Sequence, residues 1–276
     1  MMNRFKFANK ILSSHSEKKL HQFSKAIKQV KNIKKSAINS NIESISNAGW
    51  IYETALLMHK NYIKTFNTLK NHKYYDAWCM LENIEIGISV LKKNNSLIDL
   101  EESGICWIER IIEQWQTLYP YKLFLSPGMI IGYKICSICG AVVKLRNGCG
   151  HKKQMLYNGE ICYHTAHDIT LLETSVVKRP VQKYSVLNHE NSDYTNVQHV
   201  VDRIIKPYDN WNLDLTKKLF PRERFSSVLE SDQCPCNSGK DFKLCCINKE
   251  SILIPHMEIG FDRKINKDLI NNIFPY

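Results

Sequence analysis

A chain of 276 residues has room for one or two modest domains and a small extra module. With 43% apolar and 24% charged residues it reads as globular rather than disordered, and no apolar run has the length of a transmembrane helix or the core of a signal peptide. The net charge of +11 is uneven: residues 1–40 hold ten Lys/Arg against Glu17 alone, leaving only +2 for the remainder.

Within residues 1–40, Leu20, Phe23, Ile27, Val30 and Ile33 step by three and four, which predicts an amphipathic helix with lysines on its other face. This stretch reads as a basic amphipathic arm. Such an arm is suited to RNA or DNA, a ribosome or an anionic membrane surface, although packing of its stripe on the body is the commonest outcome.

Residues 41–120 read as an α-helical domain. The first stripe is Ile51, Ala55, Met58, Tyr62, Phe66 and Leu69; the second is Ala77, Leu81, Ile84, Ile88 and Leu91. A third runs through Ile105, Ile108, Ile112, Trp115 and Leu118, with Asp99, Glu101 and Glu102 near its start to complement the helix dipole. Short turns between them predict an antiparallel bundle. Pro120 ends it, and the aromatic, Pro-bounded run 119–128 reads as a packed connector.

Residues 121–190 read as a β-rich zinc-binding domain. Cys136-Ser137-Ile138-Cys139-Gly140 is a C-x-x-C-G knuckle, and Asn147-Gly148-Cys149-Gly150-His151 offers a second glycine-flanked turn. Three thiols and one imidazole, from Cys136, Cys139, Cys149 and His151, make a zinc-type ligand set. Cys162 and His164 compete with His151 for the fourth position. Runs 141–145, 154–157, 161–163, 174–177 and 184–187 read as brief strands. Zinc would hold together what so small a core cannot.

Two catalytic readings attach to this region. Leu171-Leu172-Glu173-Thr174-Ser175-Val176-Val177-Lys178-Arg179-Pro180 resembles a stretch of the phage prohead serine peptidases, which implies Ser175 as nucleophile with His151 or His164 as base. A nuclease of the His-Asn-His type would use His151, Asn158 and His164. Convergence of Ser175, His164 and Glu160 in one open pocket is the observation that favours a hydrolase.

Residues 191–232 read as a helical connector, with Val197, Val200, Val201 and Ile204-Ile205 in helical steps and a packing patch at Trp211, Leu213, Leu215, Leu219 and Phe220. Then comes Cys234-Pro235-Cys236-Asn237-Ser238-Gly239-Lys240-Asp241-Phe242-Lys243-Leu244-Cys245-Cys246. Two close thiol pairs on one short loop are what a tetrahedral ion needs, and Ser238-Gly239 supplies a turn between them. Adjacent Cys245 and Cys246 cannot readily bridge each other, so disulfides fit poorly. The rest, residues 248–276, is a tail with Ile252, Leu253, Ile254 and Phe261 as packing residues.

CPCNSGKDFKLCC resembles the SEC-C motif, the zinc tail of the SecA translocation ATPase, over residues 233–247. The resemblance implies zinc ligands at Cys234, Cys236, Cys245 and Cys246, docking on a protein or ribosome, and no catalysis by the motif itself. Nothing of the SecA motor is present in the sequence.

The sequence thus predicts an α+β protein with an N-terminal helical bundle, a small zinc-ribbon-like centre and a SEC-C tail, carrying two Zn2+ ions. Eight of the ten cysteines lie in these clusters, which points to a reducing compartment, the cytoplasm. Closed N/S ligand sets leave no open metal position, so a non-enzymatic adaptor is expected, with a hydrolase as the alternative.

Overall fold

Apolar residues recurring every three to four positions bury one face of each helix, and the helices stack on those faces. The computed structural model describes residues 2–144, 146 and 148–262; Leu145 of the predicted strand 141–145, Asn147 of the second turn and residues 263–276 of the tail lie outside them. The chain forms two units, Met1–Pro207 and Tyr208–Tyr276.

In the first unit the described helices are α1 (Lys6–Ser13), α2 (Leu20–Asn39), α3 (Glu43–Lys70), α4 (Tyr74–Asn94), α5 (Ile105–Leu118) and α6 (Thr195–Arg203). Helix α3 is the central member, packing on α1, α2, α4, α5 and α6. The three predicted stripes are its core: Ile51, Ala55, Met58, Tyr62, Phe66 and Leu69 of α3, Ala77, Leu81, Ile84, Ile88 and Leu91 of α4, and Ile105, Ile108, Ile112, Trp115 and Leu118 of α5 are all buried.

The basic stretch does not project as an arm. Phe23, Ala26, Ile27, Val30 and Ala37 bury one face of α2 along α3, while Lys34 Nζ lies 2.6 Å from the Glu53 carboxylate. Gly49 permits this approach, since a Cβ there would sit 2.8 Å from Lys34 Cβ. The amphipathic stripe buries α2 as a bundle member, with its lysines left on the outer face.

His59 of α3 is enclosed between α2 and the loop before α5. Its ring stacks on Phe23 (5.4 Å, 6°), lies 4.8 Å from the His15 ring, and its Nε2 is 2.8 Å from Ser103 O. Trp78 Nε1 donates to Lys183 O at 2.6 Å, and its ring packs against Tyr119, Tyr121 and Phe124. These aromatics do join the bundle to the centre, but the expected connector does not reach Gly128. The chain becomes a strand at Phe124, because Pro127 and Gly128 fit a two-stranded ribbon whose edges are open.

That ribbon pairs β1 (Phe124–Cys136) with β4 (His164–Val177) antiparallel, with a register shift at Gly128/Met129. The segment between them holds a small hairpin, β2 (Leu156–Tyr157) and β3 (Glu160–Ile161). Its two-residue loop is Asn158-Gly159, with φ of 44° and 81°, the positive pair that a type I′ turn requires. The loop is gripped by the start of α3: Ser46 Oγ donates to Asn158 Oδ1 (2.7 Å), Gly159 N to Asn47 Oδ1 (2.7 Å) and Asn158 N to Glu43 Oε1 (3.1 Å). Asn94, at the end of α4, holds the same segment by donating to Gln154 O and accepting from Leu156 N, both at 2.9 Å.

The second unit pairs β5 (Trp211–Pro221) with β6 (Ser251–Phe261) over eleven residues without a shift. The cysteine module is the excursion between these strands. Of the expected 191–232 connector, α6 and a short 3-10 turn at Arg222–Phe225 are helical among the described residues. Trp211, Leu213 and Leu215 alternate with period two, which suits a strand rather than a helix. A small core of Phe220, Phe225, Phe242, Ile252 and Ile254 packs with Cys234 and Cys246.

Two outcomes follow from these contacts. Gly159→Ala should lower stability by about 1–3 kcal/mol, read as a fall in Tm, because φ is +81° and Ser46 Cβ would stand 3.1 Å from the new methyl group. Burial, and then the nearby His15, lowers the His59 pKa to about 3. A histidine depressed on folding contributes stability that is complete above its unfolded pKa and lost as pH falls toward the folded one. Stability should therefore decline below about pH 6.5, with His59 accounting for roughly 2–3 kcal/mol at about pH 4.5. Thermal melts across that range should show a shallower decline for His59→Leu.

Candidate metal centres

The thirteen-residue module of the second unit is built by local turns. Cys234 N donates to Lys240 O (2.8 Å) and Asn237 N to Cys234 O (2.9 Å), curling the chain around the first thiol pair. Asn237 and Gly239 take φ of 59° and 76°, conformations that Asn and Gly adopt at least cost. On the other side Phe242 is buried, and its carbonyl accepts from Cys245 N (3.1 Å), Cys246 N (3.2 Å) and Ile247 N (3.2 Å). The buried ring and this shared acceptor aim the second thiol pair back at the first.

The Sγ atoms of Cys234, Cys236, Cys245 and Cys246 all lie within 4.8 Å of one another. Cys236 and Cys245 are 3.5 Å apart, and Cys245 and Cys246 3.7 Å. Four sulfurs at the corners of a tetrahedron with Zn–S bonds of 2.3 Å stand about 3.8 Å apart, so the cluster fits a zinc ion. The thiols are not equivalent. The Ser238 hydroxyl brings Cys236 down to about 6, whereas burial pushes Cys234 up to about 12. Ser238 Oγ also sits 3.2 Å from Cys245 Sγ. Besides its place in the turn, Ser238 sets its hydroxyl beside two of the thiols. Lys243 ion-pairs with Glu230 at 3.0 Å.

The first unit brings together the other predicted set. Ligand atoms of Cys136, Cys139, Cys149 and His151 lie within 4.8 Å of one another, which makes two such groups among the described residues. The knuckle closes by Gly140 N donating to Cys136 O and Cys136 N to Ala141 O, both at 2.9 Å, with Gly140 at φ 72°. Burial opposes ionisation of Cys136, but the amides of Cys139 and Ile138 outweigh it and bring the thiol down to about 6. The His151 ring packs edge-on against Tyr157 at 4.7 Å, and its Nδ1 is buried with no hydrogen-bond partner in the protein. A buried imidazole nitrogen left unpaired beside three thiols is what a metal ion would satisfy.

The competitors named from sequence are close by as well. Cys162 is fully buried, and its Sγ stands 3.7 Å from Cys136 Sγ. Burial pushes its thiol up to about 11. His164 opens β4 directly across from Cys136, and its Nε2 is buried without a hydrogen-bond partner. His151 completes the mutually close set of four, with Cys162 at its flank.

The serine-peptidase pair Ser175 and His164 is not brought together. Ser175 and His164 lie on the same strand eleven residues apart, roughly 35 Å at an extended rise. Ser175 is exposed, and its nearest polar partner is Glu173 Oε1 at 3.4 Å. Asn158 is committed to the turn contact with Ser46, and Glu160 pairs with Tyr157 in the hairpin.

Comparison with known proteins agrees with the second unit's geometry. Residues 231–248 match the family model described as the SEC-C motif. No curated protein and no solved structure matches the chain significantly. The match covers the whole four-thiol turn and none of the bundle or the central ribbon: the chain carries a SEC-C motif, and its cysteine clusters could hold metal ions.

Proposed function

We propose that this protein is a zinc-binding adaptor whose SEC-C module docks on a protein or ribosomal partner, while the basic outer face of α1 and α2 contacts a polyanion. Cys234, Cys236, Cys245 and Cys246 would hold one Zn2+ ion, and Cys136, Cys139, Cys149 and His151 a second. Both would be structural crosslinks in closed ligand sets.

The observation that carries docking is the surface of the module. Leu244, the residue before Cys245, is 74% exposed, and Leu229 is 65% exposed. The two segments run side by side, Lys243 N donating to Glu230 O at 3.0 Å. Two exposed leucines on neighbouring segments, with Lys240 exposed on the same turn as Leu244, form an anchor for a partner with an apolar pocket and an acidic rim. A reducing cytoplasm suits the thiol clusters this reading requires.

Metal analysis of the purified full chain should find two zinc ions. Cys245→Ser and Cys139→Ser should each lose one, and chelation should lower Tm. Docking is tested apart from folding by Leu244→Asp, which leaves all eight proposed ligands in place. That variant should keep both zincs and lose co-sedimentation with ribosomes, or the protein partner recovered by affinity purification. Unchanged partners in both Leu244→Asp and Cys245→Ser would reduce the module to a fold stabiliser.

A further inference from the structure

Helices α1 and α2 enclose a groove of about 490 Å3, lined by Phe7, Lys10 and Ile11 from α1 and by His21, Lys25 and Gln29 among the α2 residues. Residues 21, 25 and 29 form one ridge of α2 at helical spacing, and Phe7 and Ile11 stand one turn apart on α1. The lining therefore combines an aromatic ring and an aliphatic side chain with cationic and amide-bearing groups. The volume lies in the range of clefts that hold small organic groups.

Positive charge dominates the segment that carries the groove. Arg4, Lys6, Lys10, Lys19, Lys25, Lys28 and Lys35 are exposed, and Glu17 is the only carboxylate before Glu43. Lys31 and Lys34 are drawn to Glu53 of α3; no ion pair of Lys10 or Lys25 is seen among the described residues.

We propose that this groove binds single-stranded nucleic acid, taking an unstacked base against Phe7 while Lys10, Lys25 and the surrounding lysines hold phosphates. An anionic membrane surface shares the charge preference but needs a convex apolar face to insert. Here the apolar face of α2 is spent on α3, and no large hydrophobic residue between 4 and 41 is strongly exposed. The apolar surface that remains is the half-buried Phe7 and Ile11 lining the groove, which suits a flat base better than a lipid bilayer. A cationic track beside an aromatic platform is how proteins hold single strands, and every base has a face to stack. Amide groups such as that of Gln29 can bond base edges.

This inference deepens the polyanion contact proposed above and can fail separately from it. Fluorescence anisotropy of the full chain would use labelled twelve-nucleotide RNA and DNA single strands, a duplex of the same length and vesicles containing anionic phospholipid. Single strands should bind more tightly than the duplex, with affinity falling as salt rises. Lys10→Gln/Lys25→Gln should lower the log–log salt slope by about 1.4. Phe7→Leu should weaken single-strand binding about five- to tenfold while leaving the duplex affinity and salt slope unchanged. The melting temperature of each variant and retained zinc content establish that it is folded. Equal binding of duplex and single strand, with no effect of Phe7→Leu, would overturn the groove while the polyanion contact survives. Binding to vesicles alone, or no salt-dependent binding, would overturn both the groove and the nucleic-acid contact.

Discussion

Four sulfur or imidazole donors within 4.8 Å of one another are the constraint on which both β-containing parts depend. Thiolates at that spacing repel, and neutral thiols make only weak hydrogen bonds, so neither protonation state accounts by itself for such close convergence. A bound divalent cation reverses the sign of the interaction and converts four repelling groups into one crosslink. The module of the second unit has few buried apolar residues besides its cysteines: Phe220, Phe225, Phe242, Ile252 and Ile254. With so little apolar surface to bury, the donor cluster contributes much of what defines the fold.

The central cluster has a second support that the C-terminal one does not need. Its hairpin is fastened to the bundle by Glu43, Ser46 and Asn47 at the start of α3, and by Asn94 at the end of α4. Helix α3, buried for most of its length, is a rigid post for that attachment. The thiol centre thereby inherits the stability of the helical core, and its donors are placed by contacts distant in sequence.

Helix α2 and the SEC-C module each bury one face and leave another in solvent. Helix α2 buries Phe23, Ala26, Ile27 and Val30 inward and turns its cations outward, so the positive charge costs the core nothing. The SEC-C module does likewise, burying Phe242 and Cys246 while Leu244 stands in solvent.

Much of this was legible in sequence because it is local. Helical periodicity identified the bundle stripes, and thiol spacing within thirteen residues identified the C-terminal cluster, since both patterns repeat over distances the backbone itself defines. Less was legible where pairing partners are remote. The long β1–β4 ribbon was read only as fragments, because Pro127 and Gly128 resemble a loop until a partner strand is in place. Residues 211–221 read as part of a connector although Trp211, Leu213 and Leu215 alternate, and the strand character of the segment rests on pairing with residues thirty to fifty positions away. The basic stretch was taken for an arm, because charge shows which face is wet but not what the other face covers. Residue type and spacing determined which atoms can bind a metal; only the tertiary structure decided that His151 joins Cys136, Cys139 and Cys149, that Cys162 stands at their side, and that Ser175 and His164 remain apart, since those distances depend on how strands and helices pack rather than on their order along the chain.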